Sequence, residues 1–310
     1  MKMTLVRDRV PVVRRIAVVL AAALAVAAAA GTRPASAGAV LQVVAAENFW
    51  GSIASQLGGN RVHVASVIVN PATDPHDYEP TAADARALAG ANLVIVNGIG
   101  YDPWAPKLLG ANPVSGRIVL TVGDVVGIKP GGNPHRWYSP ANVQQVISTI
   151  VADYKRLDPK DAAYFERERT AFETKGLAVY KAEIATIRKR YAGVAVGASE
   201  SIFAPLAQAL GLNLLTPSSF LTAISEGTEP TAKDVSTIDA QIAHGRIKVW
   251  VFNSQNSTPD VQRLTDAARA KGIPVTTITE TLTPATATFE SWQVAQLRAL
   301  RAALARATGR

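Results

Sequence analysis

The sequence predicts an α/β protein with two parallel-sheet lobes, joined by one long connecting helix, with the ligand site in the cleft between the lobes. Short apolar runs alternate with longer helical patterns from residue 40 onwards, which is typical of βαβ units around a parallel sheet. The stretch at 160–191 breaks this alternation, because it contains no proline and a single glycine. About four strand patterns lie on each side of it. One long helix between two similar halves is therefore the predicted architecture.

The first half contains four apolar runs of strand length, at 41–46, 62–68, 93–97 and 117–122. Helices are predicted where apolar residues recur with the helical period, at 49–57, 82–89 and 141–157. The helix at 82–89 begins with a capping-box pattern, since Thr81 precedes Asp84 by three residues. These elements predict an N-terminal α/β lobe at 38–157.

The second half repeats the pattern, with strands predicted at 194–197, 212–215, 249–252 and 275–278. Helices are predicted at 202–210, 232–243, 261–270 and 289–307. The stretch between the halves would form a helix about 45 Å long, and it lacks the sustained heptad pattern of a coiled coil. We therefore expect a connecting helix at 158–191 and a C-terminal α/β lobe at 192–310.

The net charge of +8 is concentrated at the N-terminus. Residues 1–37 contain six basic residues and one acidic residue, which leaves +3 for the rest of the chain, where acids and bases are interspersed. A nucleic-acid-binding face would show a basic stripe interleaved with aromatic residues, and the sequence has none. No nucleic-acid partner is expected.

The N-terminal segment has the features of a secretory signal peptide. A basic stretch ends at Arg15, an apolar run covers 16–30, and Ala35-Ser-Ala37 supplies a small-residue cleavage site. The apolar run is shorter than the roughly twenty residues that a membrane span needs. We predict a cleaved signal peptide at 1–37 and an exported, periplasmic protein, with an uncleaved membrane anchor as the alternative.

The chain contains no cysteine, which limits the chemistry of any site. We expect no lipid-modified cysteine, and a metal site would have to use histidine, aspartate or glutamate instead of thiolate ligands. Hydrophobic residues make up 48% of the chain, so a core large enough to fold without disulfides is expected.

Four candidate metal ligands come shortly after predicted strands, two in each half: His76, His135, Glu200 and Glu280. Ligands of open parallel sheets bind at the carboxyl ends of the strands, so two facing lobes would bring these side chains to one cleft. Two imidazoles and two carboxylates suit a divalent first-row ion such as Zn²⁺ or Mn²⁺. No organic cofactor is predicted.

Each candidate also has an ordinary structural explanation. His76 and His135 could be proline-flanked loop residues. Glu200 could belong to the first turn of its helix, where a carboxylate interacts favourably with the helix dipole. Glu280 could be an exposed acid at the end of a strand. These alternatives stay open on the sequence alone.

Sequence patterns of common enzymes are absent, including the zinc-protease helix, the nucleophile elbow, the phosphate-binding loop and the dinucleotide fingerprint. Ser199 and Ser201 flank Glu200 without a histidine nearby in the sequence to activate them. The remaining histidines, His63 on a strand and His244 at a helix end, are not expected to bind a metal. We predict a binding protein and not an enzyme.

Several motifs resemble the zinc- and manganese-binding solute receptors of metal ABC importers. Asp-Pro-His-Asp-Tyr-Glu-Pro-Thr at 74–81 is the most specific, and Tyr-Asp-Pro-Trp at 101–104 supports it. Asn-Pro-His-Arg-Trp at 133–137 resembles the second histidine loop of that family, and Ser-Glu-Ser-Ile-Phe at 199–203 its third-ligand segment. The similarity covers residues from about 41 to the C-terminus.

The resemblance implies two α/β lobes joined by a rigid helix, and it places three ligands at His76, His135 and Glu200. The fourth position departs from the family, which usually has an aspartate after the last strand; Glu280 is the acid within reach here. It also implies an extracytoplasmic receptor that binds Zn²⁺ or Mn²⁺ and delivers it to a membrane permease with its ATPase. We expect a monomer. A secreted metal-dependent hydrolase and a metal-receptor-like adhesin are the alternatives.

Overall fold

The computed structural model describes Met1 and residues 40–310, except Asp74, His76 and Asp77. The predicted signal peptide, apart from Met1, and the predicted ligand His76 therefore lie outside the described residues. Among the described residues, no helix is both long enough and apolar enough to cross a membrane.

The N-terminal lobe is a four-stranded parallel sheet covered by helices. Its elements are β1 (Leu41–Glu47), α1 (Asn48–Gly58), β2 (Val62–Ile68), α2 (Ala82–Ala89), β3 (Leu93–Val96), α3 (Trp104–Ala111), β4 (Ile118–Thr121), α4 (Val122–Val126) and α5 (Pro140–Leu157). The strand order is β2-β1-β3-β4, and all pairs are parallel. The central strands β1 and β3 are almost entirely buried, because helices cover both faces of the sheet.

The connecting segment is helical over nearly its whole length but contains one wide turn. Helix α6 (Ala162–Ala171) leads into a π-helical turn, Phe172–Gly176, and α7 (Ala178–Tyr191) follows. The Leu177 amide donates to the carbonyl of Phe172 five residues earlier, over 2.8 Å. The buried Phe172 ring lies against Gly176, where a Cβ atom would approach the ring to 2.9 Å. The sequence pattern did not predict this turn, because π-turns have no periodic signature.

The C-terminal lobe repeats the topology of the first. Its elements are β5 (Ala195–Ala198), α8 (Ala204–Leu210), β6 (Asn213–Leu214), α9 (Ser218–Ser225), α10 (Ala232–Ala243), β7 (Val249–Asn253), α11 (Pro259–Ala270), β8 (Val275–Ile278) and α12 (Phe289–Thr308). The strand order is β6-β5-β7-β8, again parallel throughout. The predicted fold class is therefore confirmed.

Three short helices, α3, α4 and α9, were not predicted, and β6 has two residues where four were expected. Helix α3 begins after Pro103 and contains Pro106 in its first turn, a position that tolerates proline. Its eight residues are too few to show a clear helical period. Short elements of this kind depend on packing more than on their own sequence.

Polar contacts join the two lobes in addition to the connecting helix. At the start of α12, the Phe289 amide donates to Oγ of Ser52 on α1 over 2.9 Å. Gln56, also on α1, donates to Glu290 over 2.9 Å. The last helix thus packs on both lobes.

The last helix is also tied to the connecting helix by an ion-pair cluster. Glu183 on α7 accepts from Nε of Arg301 over 2.8 Å and from Nε of Arg298 over 3.2 Å. Glu183 is buried, whereas the two arginines are more exposed. This cluster fixes α7 against the C-terminal lobe.

Both sheets have a topological switch point between their two central strands, β1 and β3 in one lobe and β5 and β7 in the other. Crossover connections leave these points in opposite directions, which opens a crevice at the carboxyl ends of the strands. Residues that end or follow these strands are therefore placed to form a site.

Candidate metal centre

His135 lies in the loop between α4 and α5, and two asparagines fix its position. Asn97, directly after β3, donates from Nδ2 to the carbonyl of Pro134 over 3.0 Å. Asn133 accepts the backbone N–H of His135 through Oδ1 over 3.0 Å. The imidazole is completely buried, so its ring nitrogens need partners inside the protein.

Asn133 also selects the tautomer of His135. Its Nδ2 donates to the carbonyl of Ser201 over 2.7 Å, which leaves Oδ1 facing Nδ1 of His135 at 3.0 Å. Because an amide oxygen can only accept, Nδ1 carries the hydrogen. Nε2 therefore keeps its lone pair, which is the arrangement that metal-ligating histidines use.

Nε2 of His135 faces two carboxylates from the C-terminal lobe. Glu200 follows β5, and its Oε1 lies 3.5 Å from Nε2. Glu280 follows β8, and its Oε2 lies 3.4 Å from the same nitrogen. One ligand atom from each of the three residues lies within 4.8 Å of the other two. The structure thus brings together three of the four predicted ligands, from both lobes.

Two further residues, which the sequence argument did not select, hold the carboxylates. Asn253, the last residue of β7, donates from Nδ2 to Glu200 Oε2 over 2.5 Å and to Glu280 Oε1 over 2.7 Å. The Tyr101 hydroxyl donates to Glu280 Oε2 over 3.0 Å. A polar residue directly after the apolar run 249–252 was a usable signal for Asn253, whereas nothing in the sequence singled out Tyr101 as a partner of Glu280.

Burial and mutual repulsion control the charges of this cluster. Burial lowers the pKa of His135 to about 4, although the Glu200 carboxylate acts in the opposite direction. The contacts of His135 with the carboxylates are therefore not ion pairs at neutral pH, because the imidazole is uncharged. Burial, followed by the Glu280 carboxylate, raises the pKa of Glu200 to about 8. Burial also raises the pKa of Tyr101 well above its usual range, so this hydroxyl remains a donor.

This arrangement fits a divalent cation. Two buried carboxylates beside a neutral imidazole repel each other, and burial makes their charges costly. One of them must therefore hold a proton, or a cation must lie between them. The lone pair of Nε2 and one oxygen from each carboxylate converge on the same space. A mixed nitrogen and oxygen donor set of this kind suits first-row metal ions.

A protein-family model matches most of the chain. Residues 43–303 match the model of the family described as zinc-uptake complex component A, periplasmic, or ZnuA. The chain belongs to the ZnuA family. The resemblance to metal-binding solute receptors, which the motifs indicated, is therefore confirmed.

Curated relatives of this ZnuA-family chain carry names of metal receptors. It is 24% identical over 254 residues to the metal ABC transporter substrate-binding lipoprotein SloC of Streptococcus mutans, covering 76% of this chain and 79% of that protein. It is 28% identical over 137 residues to the manganese-binding lipoprotein MntA of Halalkalibacterium halodurans, covering 43% and 45%. The manganese ABC transporter substrate-binding lipoprotein PsaA of Streptococcus pneumoniae is 27% identical over 169 residues, covering 50% and 54%. The chain thus spans about half the length of MntA and PsaA.

Solved structures share the fold. The crystal structure of a ZnuA protein superposes with a TM-score of 0.68 at 21% identity, covering 86% of this chain and 99% of that one. The Mn-bound periplasmic metal binding protein from Candidatus Liberibacter asiaticus gives a TM-score of 0.69 at 22% identity, covering 84% and 98%. These matches establish two-lobed α/β architecture, and neither the hydrolase nor the adhesin alternative is favoured by the comparisons.

In this ZnuA-family chain, Glu200 does not lie in the first turn of a helix and Glu280 is not an exposed acid. Glu200 has an extended backbone (φ −158°, ψ 165°) and precedes a 3₁₀ turn, so it does not lie in the first turn of a helix. Glu280 is 8% exposed and its side chain turns inward. His63 and His244 are both exposed and lie outside the cluster.

A second pair of buried carboxyl groups lies at the N-terminal sheet. Asp102 accepts the amides of Asn97 and Gly98 over 2.7 and 2.8 Å and holds the turn that carries Ile99, whose φ of +62° is unusual for a β-branched residue. Burial, followed by the Asp102 charge, raises the pKa of Glu47 well above its ordinary value. Asp102 thus fixes the loop that leads to Tyr101.

Proposed function

We propose that this chain is the extracytoplasmic substrate-binding protein of a metal ABC importer. It binds Zn²⁺ or Mn²⁺ between its lobes and delivers the ion to a membrane permease that works with an ATPase. The observation that carries the proposal is the convergence of His135 Nε2, Glu200 and Glu280 in one buried cluster built from both lobes. Membership of the ZnuA family and the names of the relatives support it.

The ligand set in this proposal is His76, His135, Glu200 and Glu280. The backbone leading toward His76 approaches the C-terminal lobe, because Nε2 of Gln255 donates to the carbonyl of Pro71. The same Gln255 accepts the amide of Thr281, next to Glu280, over 3.0 Å. Gln255 thus connects the first ligand loop to the fourth.

The proposal includes the division of the chain. Residues 1–37 act as a cleaved signal peptide, 38–157 and 192–310 form the two lobes, and 158–191 connects them. The mature protein functions as a monomer in the periplasm, and ion binding is its task instead of catalysis.

Metal titration tests the ligand set. Purified mature protein should bind one Zn²⁺ or Mn²⁺ ion, measured by elemental analysis and by competition with a chelator. His135→Ala and His76→Ala should each weaken binding by at least about a hundredfold, since loss of a direct ligand costs more than the 10–100-fold typical of its supporting residues. His244→Ala is the matched control, because His244 is exposed and is not part of the cluster, and it should bind like the wild type.

Two results would contradict the proposal. Purified protein that binds neither ion would remove the receptor function. Variants of His76 and His135 with unchanged affinity would show that the ion binds elsewhere.

A further inference from the structure

The amide of Asn253 occupies a central position between the two carboxylates. It is buried, and its single Nδ2 atom lies 2.5 Å from Glu200 Oε2 and 2.7 Å from Glu280 Oε1. An amide nitrogen carries two hydrogens, so both are used on these two carboxylates. The group is therefore a clamp that holds one oxygen of each acid.

The clamp is itself held in place. Oδ1 of Asn253 accepts the amide of Gln255 over 3.1 Å, which fixes which end of the side chain faces the carboxylates. Its backbone N–H donates to Oγ of Ser199 over 2.9 Å, which ties the end of β7 to the end of β5. The orientation of Asn253 thus follows from the strand ends at the switch point of the C-terminal sheet.

Clamping leaves one oxygen of each acid directed at His135. Glu200 Oε1 and Glu280 Oε2 lie 3.5 and 3.4 Å from Nε2, and Asn253 donates to the other oxygen of each carboxylate. The Tyr101 hydroxyl further orients Glu280 Oε2 by donating to it over 3.0 Å. In each glutamate, the oxygen that does not accept from Asn253 is therefore the one that faces Nε2 of His135.

The two distances from Nε2 are compatible with a small tetrahedral site. With metal–ligand bonds of about 2.0–2.2 Å, neighbouring ligand atoms of a tetrahedral zinc site lie about 3.3–3.6 Å apart. The two distances from Nε2 fall in this range. Mn²⁺ typically has six ligand atoms, most of them oxygens. Four ligand side chains come closer to that number when each carboxylate binds the ion through both of its oxygens.

We infer that Asn253 is a positioning residue that restricts Glu200 and Glu280 to one oxygen each and thereby makes the site select Zn²⁺ over Mn²⁺. This inference rests on the proposed function and adds the preferred ion and the residue that sets the preference.

The test compares the affinities of both ions in wild type and Asn253→Ala. Wild type should prefer Zn²⁺, and the variant should lower the ratio of Zn²⁺ to Mn²⁺ affinity by at least about tenfold, within the range seen when supporting residues of a metal site are removed. Co²⁺ provides a second readout, because tetrahedral Co²⁺ absorbs visible light far more strongly than six-coordinate Co²⁺. The wild-type spectrum should be the strong tetrahedral one, and the variant should lose intensity.

Asn256→Ala is the matched control, because Asn256 lies three residues away and donates to the carbonyl of Ile224 over 3.1 Å, not to the glutamates. Its affinity ratio and Co²⁺ spectrum should equal those of the wild type. Asn253→Ser retains one hydrogen-bond donor and replaces the alanine variant if that variant fails to fold. Its ratio of Zn²⁺ to Mn²⁺ affinity should be lower than that of the wild type, but by less than in Asn253→Ala.

Several outcomes would overturn the inference. They are a wild-type preference for Mn²⁺, an unchanged ratio in the Asn253 variants, or an equal loss of both ions with an unaltered Co²⁺ spectrum. Failure of the wild type to bind either ion would instead refute the proposed function, so the two failures are distinguishable.

Discussion

Replacing Glu200 with glutamine tests whether this carboxyl group must lose a proton before an ion binds. Burial and Glu280 raise the pKa of Glu200 to about 8 in the metal-free protein. At pH 7 the group is then about 90% protonated, and a cation must displace that proton. His135, with a pKa of about 4, is neutral over the same range and adds no such dependence.

The magnitude follows from the titration of one group. The deprotonated fraction of Glu200 rises from about 1% at pH 6 to about 50% at pH 8, which increases the apparent affinity about fiftyfold. Glutamine does not titrate, so the ratio of wild-type to Glu200→Gln affinity should rise about fiftyfold across this range. Using the ratio cancels the contribution of His76, which both proteins share.

Chelator competition at pH 6, 7 and 8 measures the ratio, with the chelator's own affinity determined at each pH. Calorimetry in two buffers of different ionisation enthalpy counts protons, and the wild type should release about 0.9 more protons per ion than the variant at pH 7. Glu229→Gln, an exposed acid of the same lobe, should behave as the wild type does. A ratio that stays constant from pH 6 to 8, with equal proton counts, would refute the reasoning.

The same pKa shift links pH to the stability of the metal-free protein. The folded pKa of Glu200, about 8, is above its ordinary value of 4.5, so its contribution is present below pH 4.5 and is lost as pH rises through 8. His135 has a lowered pKa, so its contribution is present above pH 6.5 and is lost as pH falls through about 4. Between pH 6.5 and 8 the melting temperature of the metal-free wild type should therefore fall, and that of Glu200→Gln should fall less.

Two further predictions concern stability. Gly123→Ala should lower the free energy of unfolding by about 1–3 kcal/mol, because a Cβ atom there would lie 2.7 Å from Cγ1 of the buried Ile99. Urea unfolding measures this loss, and an unchanged midpoint would contradict the packing. Arg301→Ala should lower the free energy of unfolding by about 1–2 kcal/mol, because it removes the closest partner of Glu183 and leaves only Arg298 of the two arginines. A melting temperature equal to that of the wild type would show that the cluster is dispensable.

The fold prediction was accurate for the elements whose hydrophobic pattern extends over enough consecutive residues to be recognised. The four strands of each half and the major helices appear in the structure, with shifts of one or two residues at their ends. Strands buried on both faces read as continuous apolar runs, and this signal does not depend on the partner strand. The short helices α3, α4 and α9 escaped prediction because their period is too brief to detect.

For the site, the sequence by itself determined which side chains follow strands and which ligand chemistry is possible without cysteine. It did not determine how those side chains are oriented. Asn253 and Glu200 are 53 residues apart, so their hydrogen bond exists only once the C-terminal sheet is assembled. Tyr101 and Glu280 are 179 apart and lie in different lobes, so their hydrogen bond also requires the two lobes to meet. Burial of that assembly then shifts the pKa of His135 and Glu200 in opposite directions, because desolvation disfavours the charged form of each.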